Sequence, residues 1–501
     1  MDRRASGVLL HPTSLPGPGP CGDLGPAACR FAQSLGASAQ SWWQVLPTVP
    51  PGAGNSPYHA PSTFAGSPLL VSPERLYEEG LLAAPPSPVG GSPDRVDYPA
   101  ARRIREGCLR SAFDRFAARA SPSERDRLES FCRENAAWLD DHALYTALHR
   151  MYGAASWTCW PAPLRERRGD ALTEARRSLR MEIRREQFTQ YQFHRQWSDL
   201  RSLCARLGVG LLGDVPIYVA HESADVWAHQ DLFQLDAVGI PTVVAGVPPD
   251  YFSETGQRWG NPLYRWDRLR ADGYLWWIDR LEAALRRFDA VRLDHFIGFQ
   301  NYWEIPAQAA TAKDGRWVEG PGAHFFEEVL RRLGKVPFVA EDLGVATPAV
   351  RALRDRFGWP GLRVMQFGLL DGRSDNEHLP ANYPRRCVAY TGTHDNNTSV
   401  GWFRDETSPA ARSSALRHLG SDGAAVHRDM VRALFRSEAD LVVVPVQDLL
   451  GLGSEARMNR PGTALGNWEW RLRPEAMGDD VVDSLRALTE ACGRGSRAGA
   501  A

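Results

Sequence analysis

Eight runs rich in Val, Ile and Leu recur along the chain, each bounded by turn residues, and each predicts a β-strand. Most of these runs are almost continuously apolar, as expected for strands that are covered on both faces. The predicted strands span residues 7–12, 41–47, 208–218, 289–296, 337–344, 361–370, 387–395 and 440–450.

Segments with helical periodicity separate these runs. They lie at 23–37, 262–287, 323–334, 347–358 and 409–436. Strands that alternate with helices predict a parallel sheet. Eight such repeats predict an α/β fold, a (β/α)8 TIM barrel, which usually needs about 250 residues. Since the chain has 501 residues, we expect large, mainly helical insertions.

Two long segments interrupt the repeat. Residues 48–207 separate the second and third predicted strands, and we interpret them as loops plus a helical subdomain. A second insertion, 219–261, follows the third strand. We therefore predict a single catalytic barrel over residues 1–492. The tail 493–501, "GRGSRAGAA", has the composition of a disordered segment.

Composition excludes several classes of protein. The formal net charge of -1 gives no reason to expect a nucleic acid or an anionic membrane as a partner. No apolar stretch approaches the ~18 residues of a membrane span. The N-terminal sequence lacks the apolar segment of roughly 7–15 residues that a secretory signal needs. We therefore expect a cytoplasmic protein, and a monomer.

The positions of the cysteines and lysines argue against several kinds of site. Eight cysteines are scattered without a C-x-x-C pair, so neither a zinc site nor a disulfide framework is predicted. Lys313 and Lys335 are the two lysines of the chain. Neither lies in the frame of a P-loop, and neither is well placed for Schiff-base chemistry. We expect no metal and no cofactor.

Polar residues cluster at the C-terminal ends of the predicted strands. In barrels, that rim carries the active site. Any one of them alone could be a surface or hydrogen-bonded residue, but several strands that converge on one rim favour catalysis. The residues are His11, Asp214, Asp294, Glu341, Asp342, His394, Asp395, Gln447 and Asp448.

Two carboxylates stand out for catalysis. In "AVRLDHFIGF" (290–299), Arg292 and Asp294 project from the same side of a strand. A neighbouring guanidinium favours the ionised carboxylate that a nucleophile requires, although the pair could also be purely structural. Glu341 has no Arg two residues away, so we expect its pKa to be raised. Two carboxyl groups with different pKa values can act as acid and nucleophile, and Asp395 would supply a third acidic group.

This set fits glycosyl transfer, whose transition state resembles an oxocarbenium ion. Aromatic residues in the predicted rim loops could stack on the apolar faces of sugar rings. Trp42 and Trp43 are predicted to belong to the core instead. The candidate stacking residues are Tyr58, Tyr251, Phe252, Trp259 and Tyr264.

Motifs along nearly the whole chain match one family. They include "GVLLHPTSLPGP", "WWQVLPTVPPG", "SPYHAPSTFAGSPLL", "GDVPIYVAHESADVW", "VRLDHFIGF", "VAEDLG", "TGTHDNNT" and "QDLLGLGSEARMNRPGT". By these motifs the chain resembles the 4-α-glucanotransferases called amylomaltase or disproportionating enzyme, of the α-amylase clan. The resemblance implies that the substrates are α-1,4-glucans and maltooligosaccharides.

The resemblance also implies roles for individual residues. Asp294 is similar to the family's nucleophile, Glu341 to its general acid/base and Asp395 to its transition-state stabiliser. Arg292 stands beside the nucleophile, and His394 would contact sugar hydroxyls.

Further substrate-binding residues follow from the same resemblance. Asp214 would support the subsite geometry, and Tyr58 would stack on a sugar. The stretch 246–261 is similar to a mobile loop over the acceptor subsites, which carries Gln257 and Trp259.

Three alternatives stay open. A retaining α-glucosidase or amylase-type hydrolase would share the first half of the reaction. A metal-dependent barrel hydrolase would need His-x-His on the first strand, where the sequence offers only His11. An inactive carbohydrate-binding scaffold would bind glucans without turnover.

Overall fold

A computed structural model describes residues 4–87, 92–249, 253–344 and 346–495. It contains a closed barrel of eight strands and a separate four-stranded sheet. The strands, in chain order, are β1 (Ala5–Leu9), β2 (Trp42–Gln44), β3 (Gly210–Pro216), β4 (Val243–Val247), β5 (Gln257–Pro262), β6 (Ala290–Asp294), β7 (Asn301–Pro306), β8 (Arg316–Glu319), β9 (Phe338–Ala340), β10 (Gly361–Val364), β11 (Cys387–Tyr390) and β12 (Leu441–Pro445).

Some of the α-helices lie in the segment between β2 and β3, and the others are distributed around the barrel. They are given in chain order. The first eight are α1 (Pro26–Ala37), α2 (Pro73–Glu78), α3 (Tyr98–Arg119), α4 (Pro122–Glu134), α5 (Ala136–Met151), α6 (Ala162–Arg165), α7 (Gly169–Ser178) and α8 (Arg180–Arg206). The others are α9 (Ala224–Ala228), α10 (Trp266–Ala271), α11 (Leu275–Arg287), α12 (Gly322–Leu333), α13 (Pro348–Arg356), α14 (Met365–Leu370), α15 (Ser399–Gly401), α16 (Pro409–Leu419), α17 (Val426–Arg436), α18 (Val446–Leu449) and α19 (Asp479–Ala491).

The barrel has the order β1-β12-β11-β10-β9-β6-β3-β2, and all neighbouring strands are parallel. Seven of the eight predicted runs contain one barrel strand each, and the first run, 7–12, overlaps β1, which begins two residues earlier at Ala5. Each strand is shorter than its run. The predicted (β/α)8 barrel is therefore confirmed. Continuous apolarity identified these strands because each is buried by the barrel interior on one side and by helices on the other.

Helices α2 to α8 occupy the long segment between β2 and β3. Local sequence explains where several of them begin. The Asp97 side chain accepts a hydrogen bond from the N–H of Ala100 at the start of α3. Ser121 and Glu124 form a capping box at the start of α4, which satisfies two otherwise free N–H groups. Buried side chains of this segment belong to the same hydrophobic core as the barrel.

The four-stranded sheet has the order β5-β4-β7-β8 and is antiparallel. Its strands come from the segments after β3 and after β6. The prediction of a loop over 246–261 is wrong at both ends, because residues 246–247 belong to β4 and residues 257–261 belong to β5, which pairs with β4. The sequence did not predict β7 or β8. Tyr251 and Phe252 lie outside the described residues.

The predicted disordered tail is wrong at its beginning. Arg494 is fully buried, and its guanidinium fixes the main chain at this position. Residues 496–501 lie outside the described ranges. The guanidinium donates hydrogen bonds to the main-chain oxygens of Ala5, Phe435, Ser437 and Ala439.

Within the described ranges, none of the helices combines the length and the apolar character needed to cross a bilayer.

Candidate active site

Strand register brings the first site residues together. Asp214 on β3 is paired with Arg292 on β6, and Pro216 is paired with Asp294. Directly paired residues on neighbouring strands project to the same side. Asp214, Arg292 and Asp294 therefore meet at one point of the barrel.

Arg292 connects two carboxylates. Its Nη1 donates hydrogen bonds of 2.9 and 2.8 Å to the two oxygens of Asp214 and lies 2.8 Å from Oδ1 of Asp294. Tyr58 donates its hydroxyl to Oδ2 of Asp214 at 2.8 Å. The side chains of Arg292 and Asp214 are buried, whereas that of Asp294 is 25% exposed. Asp294 is thus the carboxylate of this group that a substrate could reach.

The charges of this group reinforce one another. Burial alone would lower the pKa of Arg292, but Asp214 and Asp294 outweigh it and hold that pKa well above its usual value. The guanidinium therefore stays charged, and it fixes the position of Asp294.

Glu341 lies directly after β9 and belongs to the same site. The N–H of His295 donates to its Oε2 at 2.7 Å, and the N–H of Leu343 donates to its Oε1 at 3.0 Å. Burial raises the pKa of Glu341 to about 8, the negative charge of Asp294 adds to the rise, and Arg292 opposes it. The carboxyl group therefore carries a proton at neutral pH and can donate it.

His295 links Glu341 to the antiparallel sheet. It adopts a left-handed backbone conformation, φ 52° and ψ 48°, which is uncommon for a residue other than glycine and often marks a functional site. Its ring meets Trp259 edge to face at 4.8 Å, and burial lowers the pKa of the ring to about 4. Sequence reasoning assigned no role to His295, although it directly follows Asp294.

An aromatic group lines another part of the site. The rings of Tyr58 and His394 are stacked, with centroids 5.3 Å apart and planes 11° apart. Trp468 lies 5.7 Å from Tyr58 and 5.9 Å from His394. Sequence reasoning did not single out Trp468. Burial, together with the neighbouring His394, lowers the pKa of His11 to about 3, so His11 is neutral beside this group.

Asp395 is more open than the other carboxylates, with a side chain that is 44% exposed. Its Oδ1 accepts a hydrogen bond of 2.6 Å from Nδ2 of Asn459 and lies 3.4 Å from Nε2 of His394. The N–H of Asn459 also donates to the main-chain oxygen of His394 at 3.1 Å. Asn459 therefore positions both residues, and sequence reasoning missed it.

Gln257 and Trp259 lie on β5, at the edge of the site. The indole N–H of Trp259 donates to Oε1 of Gln257 at 3.2 Å. Since Trp259 contacts His295, this strand reaches the residue that holds Glu341.

Other rim residues have structural roles. Asp342 pairs with Arg354 and accepts from the N–H of Leu362, and Asp448 accepts from the N–H of Ser399. Tyr264 is buried and donates to the oxygen of Ile217, so its prediction as a rim-loop platform is wrong.

No group of three or more metal-ligating side chains occurs in the part of the chain that the structure describes.

Comparisons with known proteins agree on one family. A profile described as 4-alpha-glucanotransferase matches residues 10–477. The 4-alpha-glucanotransferase of Thermus thermophilus is 49% identical over 501 residues, which cover 98% of this chain and 99% of the relative. That of Synechocystis is 44% identical, with 99% of each chain covered. The structure of amylomaltase from Streptococcus agalactiae in complex with acarbose is 34% identical and has a TM-score of 0.95, with 99% of this chain and 100% of that chain covered.

Proposed function

The chain belongs to the 4-alpha-glucanotransferase family, and on that premise we propose that it transfers α-1,4-glucan segments by a retaining double displacement. It is a glycosyl-transferring enzyme that acts on glucans. One observation carries the proposed mechanism. Arg292 holds Asp294 as an accessible carboxylate, while Glu341 beside it keeps a proton at neutral pH.

In the first step, a carboxylate oxygen of Asp294 attacks the anomeric carbon of a glucan. The bond from that carbon to the glycosidic oxygen breaks, and the proton of Glu341 goes to the departing oxygen. The products are a glycosyl ester of Asp294 and a shorter glucan. Glu341 is left as a carboxylate.

In the second step, the 4-hydroxyl of another glucan attacks the same carbon. The ester bond to Asp294 breaks, and the hydroxyl proton returns to Glu341. Two inversions give net retention of the α configuration. In this proposal Asp395 stabilises the positive charge of the transition state, and the hydrogen bond from Asn459 to Asp395 supports a fixed position for that carboxylate.

Further residues bind the sugar chain in this proposal. The stacked rings of Tyr58 and His394 offer an aromatic contact, and Asp214 fixes the Tyr58 hydroxyl. Gln257 and Trp259 approach from the antiparallel sheet, on the acceptor side. The amylomaltase of Streptococcus agalactiae was solved in complex with acarbose, which supports a glucan-like ligand for this chain.

We also propose that residues 1–492 act as one catalytic unit, as a monomer in the cytoplasm, without metal, cofactor, nucleic acid or membrane. The helical segment shares the hydrophobic core of the barrel, which supports a single unit. All eight cysteines are free, as is usual in a reducing compartment. Light scattering of the purified protein tests the monomer.

Maltotriose tests the reaction. A transferase converts it to glucose and a ladder of longer maltooligosaccharides, while the number of reducing ends stays nearly constant. Asp294→Asn should abolish the ladder, because an amide cannot act as this nucleophile. A steady rise in reducing ends, without any product longer than the substrate, would support the amylase-type hydrolase instead.

A further inference from the structure

The antiparallel sheet has one face on the barrel and one face away from it. Ala245 and Tyr302 on the inner face belong to the main hydrophobic core, and Trp259 packs against that core. Side chains alternate between the two faces along a strand. The neighbouring residues therefore point outward, where Val244 and Ile305 form a small separate cluster.

One rung of this outer face crosses all four strands. Arg258 on β5 is paired with Gly246 on β4, Gly246 with Trp303 on β7, and Trp303 with Trp317 on β8. The three side chains thus share one face. Arg258 and Trp317 are three strand spacings apart, about 14 Å.

Two tryptophans form the end of this rung. All seventeen tryptophans lie in the described ranges, and Trp317 is the exposed one, at 43%. Its ring meets that of Trp303 at 5.3 Å and 72°. The indole N–H of Trp303 donates to the oxygen of Ala312 at 2.9 Å, and Gly315 lies so close that a Cβ would come within 2.2 Å of Nε1. Trp303 is therefore fixed, and Trp317 packs against a rigid ring.

Polar side chains adjoin the tryptophans on the same face. Asn301 on β7 is paired with Glu319 on β8, two positions along the strands from the pair of Trp303 and Trp317. In the part of the chain that the structure describes, neither side chain has a hydrogen-bond or ion-pair partner. An amide and a carboxylate beside an exposed aromatic ring can bind the hydroxyl groups of a sugar that stacks on the ring.

We propose that Trp303, Trp317, Asn301, Glu319 and Arg258, here called the outer ledge, bind an α-1,4-glucan chain outside the active site. The inference rests on the proposed function, which supplies the ligand class. The ledge is too small for a protein partner, because a stable interface buries about 800 Å² on each side and the ledge exposes one indole among polar groups.

The position of the ledge suggests what it does. On β5, Arg258 faces the ledge, while Gln257 and Trp259 on either side of it face the active site. A long glucan held on the ledge is thus kept beside the acceptor side of the catalytic site. Such tethering raises the local concentration of chain ends, and a trisaccharide is too short to benefit from it.

Trp317→Ala tests the ledge. We expect a roughly threefold to tenfold weaker affinity for long amylose, measured by electrophoresis in glycogen-containing gels and by KM, because a stacking contact is lost. KM and kcat for maltotriose should stay within about twofold of the unchanged protein. Trp317→Phe should restore most of the affinity, whereas Trp317→Leu, which is apolar but not flat, should not.

Tyr77→Ala is the matched control, because Tyr77 is an aromatic of similar exposure, 41%, on the distant helix α2. It should leave both substrates unaffected. Glu319→Ala removes a side chain that has no partners, so it should not disturb folding. It should weaken the binding of amylose and leave maltotriose unaffected. This variant therefore tests the ledge even if the tryptophan variants fold poorly.

Unchanged amylose affinity in Trp317→Ala would overturn the proposed glucan site. An equal loss of affinity for maltotriose would also overturn it, because the substitution would then act on the active site. So would a change in the molecular mass of Trp317→Ala in light scattering, because the tryptophan would then belong to a contact between copies of the chain. Absence of a maltotriose ladder from the unchanged protein would instead refute the proposed function.

Discussion

The main-chain N–H of His295 donates a hydrogen bond of 2.7 Å to Oε2 of Glu341. His295 directly follows Asp294, so the residue after the proposed nucleophile holds the proposed acid. Any shift at the end of β6 would move both groups together. The left-handed conformation of His295 directs its N–H to Glu341, and its buried ring contacts Trp259.

The pH dependence of activity should reflect Glu341. Its carboxyl group must carry a proton to act as the acid, and its pKa is about 8. We therefore expect kcat/KM to fall about tenfold per pH unit above pH 8. Initial rates of maltotriose disproportionation between pH 5 and pH 10 measure this. A profile that stays flat through pH 9 would contradict it.

The stability of the protein should depend on the same group. The ordinary pKa of a glutamate is 4.5, and the pKa of Glu341 in the folded protein is about 8. Between these pH values the folded state therefore holds a proton that the unfolded state releases. This contribution to stability is complete below pH 4.5 and is lost as the pH rises to about 8. Glu341→Gln cannot ionise. Its Tm relative to the unchanged protein should rise from pH 5 to pH 8, while its activity falls roughly 10²-fold or more.

Arg292→Lys should damage turnover more than folding. The lysine keeps a positive charge but loses the planar group that reaches Asp214 and Asp294 together. We expect kcat to fall roughly 10²-fold, as for a misplaced catalytic group. Circular dichroism should show a folded protein. Normal turnover would mean that the pair is merely structural.

Asn459→Ala should lower kcat while KM changes little, because Asn459 positions Asp395 and need not touch the substrate. Loss of one hydrogen bond to a charged group is worth roughly 1.5–3 kcal/mol, or about tenfold to a hundredfold. Asn382→Ala is a suitable control, since Asn382 also bonds through Nδ2 but to main-chain oxygens of a surface turn. An equal loss of kcat in both variants would contradict the positioning role of Asn459.

The barrel could be predicted from the sequence because each of its strands is an apolar run. The sheet strands β7 and β8 could not, since "NYWEIP" and "RWVE" mix polar residues with apolar ones and contain no continuous apolar run. Arg292 and Asp294 could be placed together because alternation along one strand puts them on one side. Asn459 could not be placed beside Asp395, because that contact joins residues 64 positions apart through loops without a regular period.

Trp259→Ala should change the partition between transfer and hydrolysis. The glycosyl ester on Asp294 can react with a sugar hydroxyl or with water, and the product depends on which of them reaches the anomeric carbon. Trp259 is half buried between the sheet and His295, and its N–H bonds to Gln257. Removal of the indole takes away a stacking surface for the acceptor and opens a path for water.

We expect Trp259→Ala to form more reducing ends for each molecule of transfer product from maltotriose. Trp259→Phe keeps an aromatic face and should stay closer to the unchanged protein. Both quantities come from one reaction mixture, through a reducing-sugar assay and separation of the ladder, so a general loss of activity cancels in their ratio. An unchanged ratio in Trp259→Ala would show that this strand does not select the acceptor, and water exclusion would then have to come from the aromatic group around Tyr58.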